Sequence, residues 1–138
     1  MIAYDTTLRV RYGETDQMGY VYYGKYAEYF EVGRVELIRS IGLSYKSIEE
    51  QGIWMPVADL VVKYRKPGRY DDLLTIRTMV RELPRSSFFT EYEIYNESQE
   101  LLVTGSVRLA FFHAERVVPV RVPAFILEAV EKQWPQQP

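Results

Sequence analysis

Residues 12–42 decide the fold, and they read YGETDQMGYVYYGKYAEYFEVGRVELIRSIG. Apolar or small side chains recur every three or four positions in the second half of this stretch, at Tyr26, Phe30, Gly33, Leu37 and Ile41. Charged residues fall largely between them, so the spacing predicts an amphipathic helix, the longest of the chain. Gly42 is placed to end this helix in a left-handed conformation. Gly33 costs about 1 kcal/mol relative to Ala in a helix interior, so we expect it to let a sheet approach the helix backbone closely.

A short polar loop precedes this helix and carries Asp16. The first turn, around Tyr22 to Gly24, is expected to present unpaired backbone N–H groups and the positive end of the helix dipole. A carboxylate opposite a helix start suits acyl transfer, because the amide groups stabilise an oxyanion while the carboxylate attacks a carbonyl or activates water. The alternative is that Asp16 only closes a turn, since Asp is common in turns.

The stretch from Asp16 to Tyr23, followed by Tyr26, resembles a known signature, D-x-x-G-x-V-x-[YHN]-x-x-Y. It belongs to the hotdog-fold acyl-CoA thioesterases, in the branch of 4-hydroxybenzoyl-CoA thioesterase and YbgC-like proteins. The likeness includes Arg11 and Tyr12 before the loop. It also includes residues 62–72, VKYRKPGRYDD, which are similar to the family turn Y-x-x-P-x-x-x-D-D.

The resemblance implies hydrolysis of an acyl-CoA or aroyl-CoA to the free acid and coenzyme A. Asp16 takes the position of the catalytic Asp, as nucleophile or as general base for water. Tyr23 takes the position at the helix entry, with its backbone N–H as the oxyanion donor, and the alternative for its side chain is that it only packs against the helix start. Many YbgC-like members have His there, so Tyr23 favours the hydroxybenzoyl-CoA variant without an imidazole.

The expected substrate-binding residues are Tyr12, Gly19, Tyr26, Arg85 and Ser86. Tyr12 and Tyr26 are expected to line the acyl pocket, although aromatic residues beside a helix commonly belong to the core. Two basic clusters are able to hold the phosphates of coenzyme A, one at Arg65, Lys66 and Arg69 and one at Arg81, Arg85, Ser86 and Ser87. The resemblance favours the turn near Arg85 and Ser86, and the alternative for either cluster is a solvated face.

Period-two alternation follows the helix and predicts an antiparallel sheet. The predicted strands are Thr6–Arg11, Ile53–Tyr64, Leu73–Leu83, Phe88–Asn96 and Glu100–Phe112, with an edge strand at 117–122. Ser44 is expected to cap a short second helix, and Pro123 to begin a terminal one. This order indicates an α+β class. The resemblance implies a hotdog fold, an antiparallel β-sheet wrapped around one long central helix.

Composition narrows the class of protein. The 138 residues, 47% hydrophobic, suit a single domain over residues 1–138. The absence of cysteine excludes a thiol nucleophile, disulfides and thiolate metal sites. A net charge of −2 gives no long-range attraction to nucleic acid or to an acidic membrane. We see neither an apolar run long enough for a bilayer nor a secretory signal pattern, so a cytoplasmic location is expected.

For the other polar residues that could carry chemistry, the sequence mainly favours structural roles. His113 matches no catalytic position of the family and is expected to be structural or exposed. Asp71 and Asp72 follow a Pro-Gly pair and are expected to be turn residues, while Asp59 is either a pocket residue or an outward-facing edge residue. One histidine and scattered carboxylates suggest no metal site. No resident cofactor is expected, because coenzyme A is part of the substrate.

The expected partners are a small-molecule acyl-CoA substrate and further copies of the chain, with no nucleic acid and no membrane. The resemblance implies a homodimer or a homotetramer (dimer of dimers) with active sites at the dimer interface. Two other functions stay open, an acyl-carrier-protein thioesterase and a non-catalytic hotdog acyl-CoA-binding module. A hotdog dehydratase is disfavoured, because it needs a histidine beside the helix entry.

Overall fold

The computed structural model describes residues 1–135, so the predicted frayed tail from Pro135 to Pro138 lies almost entirely outside the described part. The strands are β1 (Ile2–Arg9), β2 (Ile53–Trp54), β3 (Val57–Tyr64), β4 (Leu73–Val80), β5 (Ser87–Tyr95), β6 (Leu101–Ala110), β7 (Phe112–His113) and β8 (Val118–Pro119). The helices are α1 (Lys25–Ser40), α2 (Tyr45–Glu50) and α3 (Ala124–Gln133), with a short 3-10 turn at Tyr12–Glu14.

Five strands form one antiparallel sheet in the order β1-β4-β5-β6-β3. The predicted alternation of buried and exposed side chains is found in β5. Every second side chain of that strand is buried, at Phe88, Thr90, Tyr92 and Ile94. These side chains belong to the same buried cluster as the inner face of α1. The arrangement confirms the predicted α+β class, and an antiparallel sheet around one long helix is the architecture expected of the hotdog fold.

Helix α1 lies directly against the sheet at Gly33. A Cβ atom built on Gly33 would lie 2.4 Å from the Thr78 side-chain oxygen and 2.7 Å from the Ile76 Cγ2 atom. Both of these residues lie in β4, so a glycine is needed for the two backbones to come this close. The predicted role of Gly33 is therefore confirmed. Gly42 has a φ of 90° immediately after the helix, as predicted.

A second close contact fixes the middle of α1. The ring of Phe30 stacks on that of Tyr92, with centroids 4.3 Å apart and planes 10° apart. On β6, a Cβ atom at Gly105 would come within 2.4 Å of the Phe30 ring and 2.5 Å of the Val61 carbonyl oxygen. The Phe30 ring therefore occupies the space that a side chain at Gly105 would need.

Several strand predictions were wrong in their bounds, and the predicted strand Glu100–Phe112, for example, is divided between β6 and β7. The predicted strand Ile53–Tyr64 is two strands in different sheets, since β2 pairs with β7 while β3 pairs with β6. The break falls at Pro56, which has no N–H for a ladder and whose carbonyl accepts from Ala110 at 2.9 Å. The predicted N-terminal strand begins earlier, at Ile2, because the whole segment Ile2–Arg9 pairs with β4.

Strand β6 departs from strict alternation at its start. Ile94 pairs with Val103 but Tyr95 pairs with Leu101, so the ladder is irregular at Leu102. Leu102 is consequently buried and Leu101 only half-buried, although strict alternation would place Leu101 on the same face as Val103. Alternation predicts Val107 and Leu109 correctly, because it holds again beyond the irregularity.

The helix ends largely follow their predicted signals. The Ser44 side chain accepts a hydrogen bond from the Ser47 N–H at 3.0 Å, which caps α2. Gly52 has a φ of 79° just beyond that helix. Pro123 is the residue before the first turn of α3, whose buried side chains are Ile126 and Val130. The predicted final strand is reduced to β8, at the edge of the small sheet β2-β7-β8.

We predict that Gly105→Ala lowers the free energy of unfolding by about 1–3 kcal/mol, because overpacking a tight core costs that much. The added methyl group would meet the backbone oxygen of Val61, which cannot rotate away as a flexible side chain can. Denaturant unfolding followed by circular dichroism measures the change.

Gly13→Ala is the matched control, since a Cβ atom there meets nothing within 4 Å. It should change the free energy of unfolding by no more than about 0.5 kcal/mol. Equal stability of the Gly105 variant and the Gly13 variant would contradict the described packing of Phe30.

Candidate active site

Residues 15–21 form a small antiparallel loop that presents Asp16. Thr15 and Val21 are bridged across it, and the Asp16 N–H donates to the Tyr20 carbonyl at 2.8 Å. The loop turns at Gly19, whose φ of 77° favours glycine. Val21 is tied to the following part of the chain, since its N–H donates to the Gly68 carbonyl at 2.8 Å. The loop is therefore held from both sides.

The two oxygens of the Asp16 carboxylate lie in different environments. Oδ1 accepts hydrogen bonds from the N–H groups of Met18 at 2.9 Å and Tyr20 at 3.2 Å. No donor among residues 1–135 is hydrogen-bonded to Oδ2. Asp16 therefore closes its turn with one oxygen, while the lone pairs of the second oxygen accept no hydrogen bond from the described residues.

The start of α1 carries free backbone donors. The N–H of Tyr22 is paired with the Glu14 carbonyl at 2.8 Å, so the expectation of an unpaired group was wrong at that residue. Within the described residues, the N–H groups of Tyr23 and Gly24 have no hydrogen-bond acceptor. They precede the first helical residue, Lys25, where the helix dipole is positive. An anionic oxygen would be stabilised at this point.

One groove of about 290 Å³ contains both features. Its lining residues are Asp16, Met18, Tyr20, Val21, Tyr23, Tyr26, Tyr64, Arg65, Lys66 and Pro67. The Tyr26 ring is buried and the Tyr23 ring is 64% exposed, so the groove runs from the core to the surface. Of the predicted site residues, the groove brings together Asp16, Tyr23 and Tyr26, and Gly19 lies in the loop beside them.

Tyr26 belongs to the hydrophobic core and also lines the groove. Its hydroxyl accepts a hydrogen bond from the Gly68 N–H at 3.2 Å, and its ring packs edge-on against Tyr29 and Tyr64. Burial raises the pKa of Tyr26 above its ordinary value, so the hydroxyl stays protonated at neutral pH. A neutral phenol offers a ligand a hydrogen-bond donor without a charge.

Tyr64 is a groove residue that we did not predict. It is the last residue of β3, and its hydroxyl donates to the Tyr23 carbonyl at 3.1 Å. That carbonyl belongs to the same peptide group as the free Gly24 N–H. Because a trans peptide is planar, holding the carbonyl also orients the N–H. The sequence did contain a signal for this role, because Tyr64 is the first residue of the family turn Y-x-x-P-x-x-x-D-D.

The groove has basic residues at one side. Arg65 and Lys66 line it, and Lys66 is paired with Glu100 at 2.6 Å. Arg69, the third member of that predicted cluster, lies over the Tyr20 ring, with its guanidinium carbon 4.9 Å from the ring centroid. Two members of the cluster therefore have partners within the chain.

Four of the five predicted substrate-binding residues do not line this groove, namely Gly19 in the adjacent loop and Tyr12, Arg85 and Ser86 elsewhere. Tyr12 is 79% exposed on the 3-10 turn, where its ring packs edge-on against Tyr70. Arg85 and Ser86 line a different cavity of about 510 Å³, together with Ser87, Arg108 and Trp134. Within one chain, the fold therefore separates the Arg85 turn from Asp16.

The remaining polar candidates have structural roles. The His113 Nδ1 atom accepts from the Arg116 N–H at 3.2 Å. Asp72 accepts from the Arg69 N–H at 2.9 Å, and Asp71 has a φ of 68°, so both are turn residues as predicted. Asp59 lies exposed on the edge strand β3, 4.0 Å from Arg108.

Across residues 1–135, no three potential ligands among His, Cys, Asp and Glu come together as a metal site would require. None of the helices in that range combines the length and the apolar character that a bilayer span needs.

The fold and the groove define a class, the hotdog-fold thioesterases, and comparisons with known proteins give the family. The model of the Thioesterase-like superfamily matches residues 10–130, and this chain belongs to that family. The chain is 38% identical over 99 residues to a putative acyl-CoA thioesterase, YneP of Bacillus subtilis, covering 72% of each protein. It is 28% identical to the acyl-CoA thioester hydrolase YbgC of Escherichia coli O6:H1, covering 87% of this chain and 90% of that protein.

A solved structure agrees with these relatives. The DHNA-CoA thioesterase of Staphylococcus aureus superposes with a TM-score of 0.90 and 39% sequence identity, covering 96% of this chain and 91% of that one. The family resemblance predicted from the loop and the helix start is therefore confirmed over nearly the whole chain.

Proposed function

We propose that this protein is an acyl-CoA thioesterase, which hydrolyses the thioester of an acyl- or aroyl-CoA to the free acid and coenzyme A. The observation that carries the proposal is the shared groove, in which Asp16 with one free carboxylate oxygen lies alongside the free N–H of Tyr23. The names of the bacterial relatives support the same activity.

The proposed chemistry begins with the thioester carbonyl between these two groups. Asp16 either attacks the carbonyl carbon, giving an acyl anhydride that water then hydrolyses, or removes a proton from a water that attacks directly. On both routes the carbonyl oxygen becomes an anion, which the Tyr23 N–H and the helix dipole stabilise. When this intermediate collapses, the C–S bond breaks, which gives the anhydride on the first route and the free acid on the second. The thiolate of coenzyme A takes up a proton, from solvent on the first route and from the protonated Asp16 on the second.

The acyl group would lie among the four tyrosine rings of the groove, Tyr20, Tyr23, Tyr26 and Tyr64. Aromatic rings pack well against another aromatic ring, in stacked or edge-on geometry. The Staphylococcus aureus neighbour is a thioesterase of DHNA-CoA, which makes an aroyl-CoA a candidate for this chain beside aliphatic acyl-CoAs. A substrate panel from acetyl- to palmitoyl-CoA, with benzoyl- and phenylacetyl-CoA, ranks these classes.

We predict that Asp16→Asn lowers kcat at least about 100-fold, the usual range for loss of a general base or nucleophile. Asn keeps an oxygen that accepts from the Met18 and Tyr20 N–H groups, so the loop should retain its shape. Release of free thiol, followed with a chromogenic thiol reagent, measures turnover, and a protein without cysteine gives no background.

Asp5→Asn is the matched control, because it changes an exposed carboxylate on β1 that is paired with Arg77. It should leave turnover unchanged. Near-normal turnover by the Asp16 variant would remove Asp16 from the mechanism. Turnover confined to acyl-carrier-protein thioesters would establish the carrier-protein function instead, and binding of acyl-CoA without hydrolysis would indicate a non-catalytic module.

We further propose that the active protein is a homodimer, assembled by pairing the free edge of β3. This strand ends the sheet, and Val57, Leu60 and Val61 are each more than 40% exposed. An exposed apolar edge strand favours pairing with another strand. Because Tyr64 and Arg65 follow at the end of β3 and line the groove, the second copy would sit beside the active site. A homotetramer (dimer of dimers) is the proposed further assembly.

Leu60→Lys is predicted to shift the protein towards the monomer, because a charge at the paired edge disfavours association. Light scattering after size-exclusion chromatography measures the mass. Val118→Lys, which changes an exposed residue of the small sheet, is the control and should keep the mass of the unmodified protein. An unchanged mass for the Leu60 variant would argue against assembly through β3.

In the proposed dimer, residues of the second copy would also bind coenzyme A. We propose that Arg85 and Ser86, with the neighbouring Arg108, bind its phosphates from the second copy. The Arg85 side chain makes no ion pair within residues 1–135, so it is available to a ligand. The rival location is the groove itself, at Arg65 and Lys66.

Arg85→Ala is predicted to raise KM for acyl-CoA about 10-fold with little change in kcat, because a charge-assisted hydrogen bond to phosphate is lost. With an acyl-pantetheine substrate, which has no nucleotide, the variant should match the unmodified enzyme. Arg65→Ala is the comparison. A KM increase in that variant and none in Arg85→Ala would move the phosphates to the groove.

The cytoplasmic location and the absence of a resident cofactor stay predictions. Fractionation of cells that produce the protein tests the first. Mass spectrometry of the purified protein under native conditions tests the second.

A further inference from the structure

Glu14 is a half-buried acid that lies between the end of β1 and the Asp16 loop, outside the groove. Its side chain is only 13% exposed. The carboxylate Oε1 atom accepts hydrogen bonds from the Arg11 N–H at 2.8 Å and from the Tyr29 hydroxyl at 3.2 Å. The other oxygen lies 3.4 Å from the Arg11 guanidinium. The carboxylate therefore joins the chain just after β1 to the second turn of α1.

The backbone of Glu14 makes a third connection. Its carbonyl accepts the Tyr22 N–H at 2.8 Å, directly before the free N–H groups of Tyr23 and Gly24. Asp16 follows Glu14 by two residues, and the bridge between Thr15 and Val21 continues the same pairing. Glu14 therefore connects the Asp16 loop with the residue before the free N–H groups at the start of α1.

The Tyr29 hydroxyl is a well-defined donor in this contact. Burial, and then the adjacent charge of Glu14, raises the pKa of Tyr29 well above its ordinary value, so it stays a neutral phenol. Burial works to raise the pKa of Glu14, but hydrogen bonds from Arg11 and Tyr29 outweigh burial and hold the pKa below its ordinary value. Tyr29 also supports the groove directly, since its ring packs edge-on against Tyr26 at 5.7 Å.

We infer that Glu14 and Tyr29 are positioning residues for thioester hydrolysis, which set the Asp16 carboxylate in register with the N–H groups at the start of α1. Neither residue lines the groove that contains Asp16 and Tyr23, since both line a separate cavity of about 240 Å³. The inference rests on the proposed function of Asp16. Its physical basis is that displacement of a reacting group by about 1 Å can reduce turnover about 100-fold.

The competing explanation is that the contact only stabilises the fold. A stabilising contact, when it is lost, lowers the melting temperature and leaves the folded enzyme with normal kinetics. A positioning contact lowers kcat at temperatures where the variant is fully folded and leaves KM nearly unchanged. The division of the effect between kcat and KM therefore separates the two explanations.

The test compares Tyr29→Phe with Tyr45→Phe, each of which deletes one partly buried, hydrogen-bonded hydroxyl and keeps the ring. The Tyr45 hydroxyl accepts from the Arg34 Nε atom at 2.7 Å and lies in α2, away from the Asp16 loop. We expect Tyr29→Phe to lower kcat about 10-fold at constant KM, and Tyr45→Phe to lower the melting temperature without changing kcat.

Glu14 provides the second comparison. Glu14→Ala should lower kcat about 10- to 100-fold, whereas Glu14→Gln should retain most of it. The Gln side-chain oxygen can still accept from the Arg11 N–H and the Tyr29 hydroxyl, so rescue by Gln is expected if geometry is what matters. If Glu14→Ala does not fold, Tyr29→Phe and Glu14→Gln decide the question.

The outcomes distinguish this inference from the proposed function. No thioesterase activity in the unmodified protein, or full activity in Asp16→Asn, overturns the proposed function and this inference with it. Activity that depends on Asp16 but persists at normal kcat in Tyr29→Phe and Glu14→Ala overturns the positioning role alone. A selective loss of kcat in both variants, with rescue by Gln, supports it.

Discussion

The packing of α1 into the curved sheet is the constraint on which the rest of the molecule depends. The helix can approach this closely only because glycines occupy two contact points, Gly33 facing Thr78 and Gly105 under the Phe30 ring. Interiors are packed as densely as crystals, so these contacts fix where the helix lies along the sheet. The start of the helix is fixed with it, and the free N–H groups of Tyr23 and Gly24 are the part of the helix that the proposed chemistry uses.

In the loop before the helix, the two oxygens of one carboxylate differ in their hydrogen bonding. Asp16 closes its own turn with one carboxylate oxygen and leaves the other without a donor among residues 1–135. The turn limits the motion of the carboxylate, which is the condition for a preorganised reacting group. The structural explanation and the functional explanation of Asp16 are therefore compatible, since each accounts for a different atom.

The tyrosines, twelve in the chain, take several roles around this site. Tyr26 combines a buried ring with a hydroxyl at the groove, and Tyr64 holds the carbonyl of Tyr23. Tyr29 bonds Glu14, while Tyr12 is exposed and outside the groove. Composition alone shows that tyrosine is abundant, and the ring with its hydroxyl suits a core edge, a pocket or an interface equally well. Only the contacts of each residue distinguish these roles.

By itself the sequence determined the helix, the period-two strands and the loop motif, because helix and strand periods and glycine turns are local properties of the chain. From the helix and strand periods the α+β class could be predicted, while the hotdog family and the proposed roles of Asp16 and Tyr23 came from the resemblance of the loop motif. The break at Pro56, the irregular pairing at Leu102 and the contact between Tyr64 and Tyr23 could not be predicted with the same rules. Each depends on which strand lies beside which, and therefore on pairing between segments distant in sequence. The tertiary structure also decided that Arg85 lies apart from Asp16 within one chain, because the two belong to separate connections of the sheet.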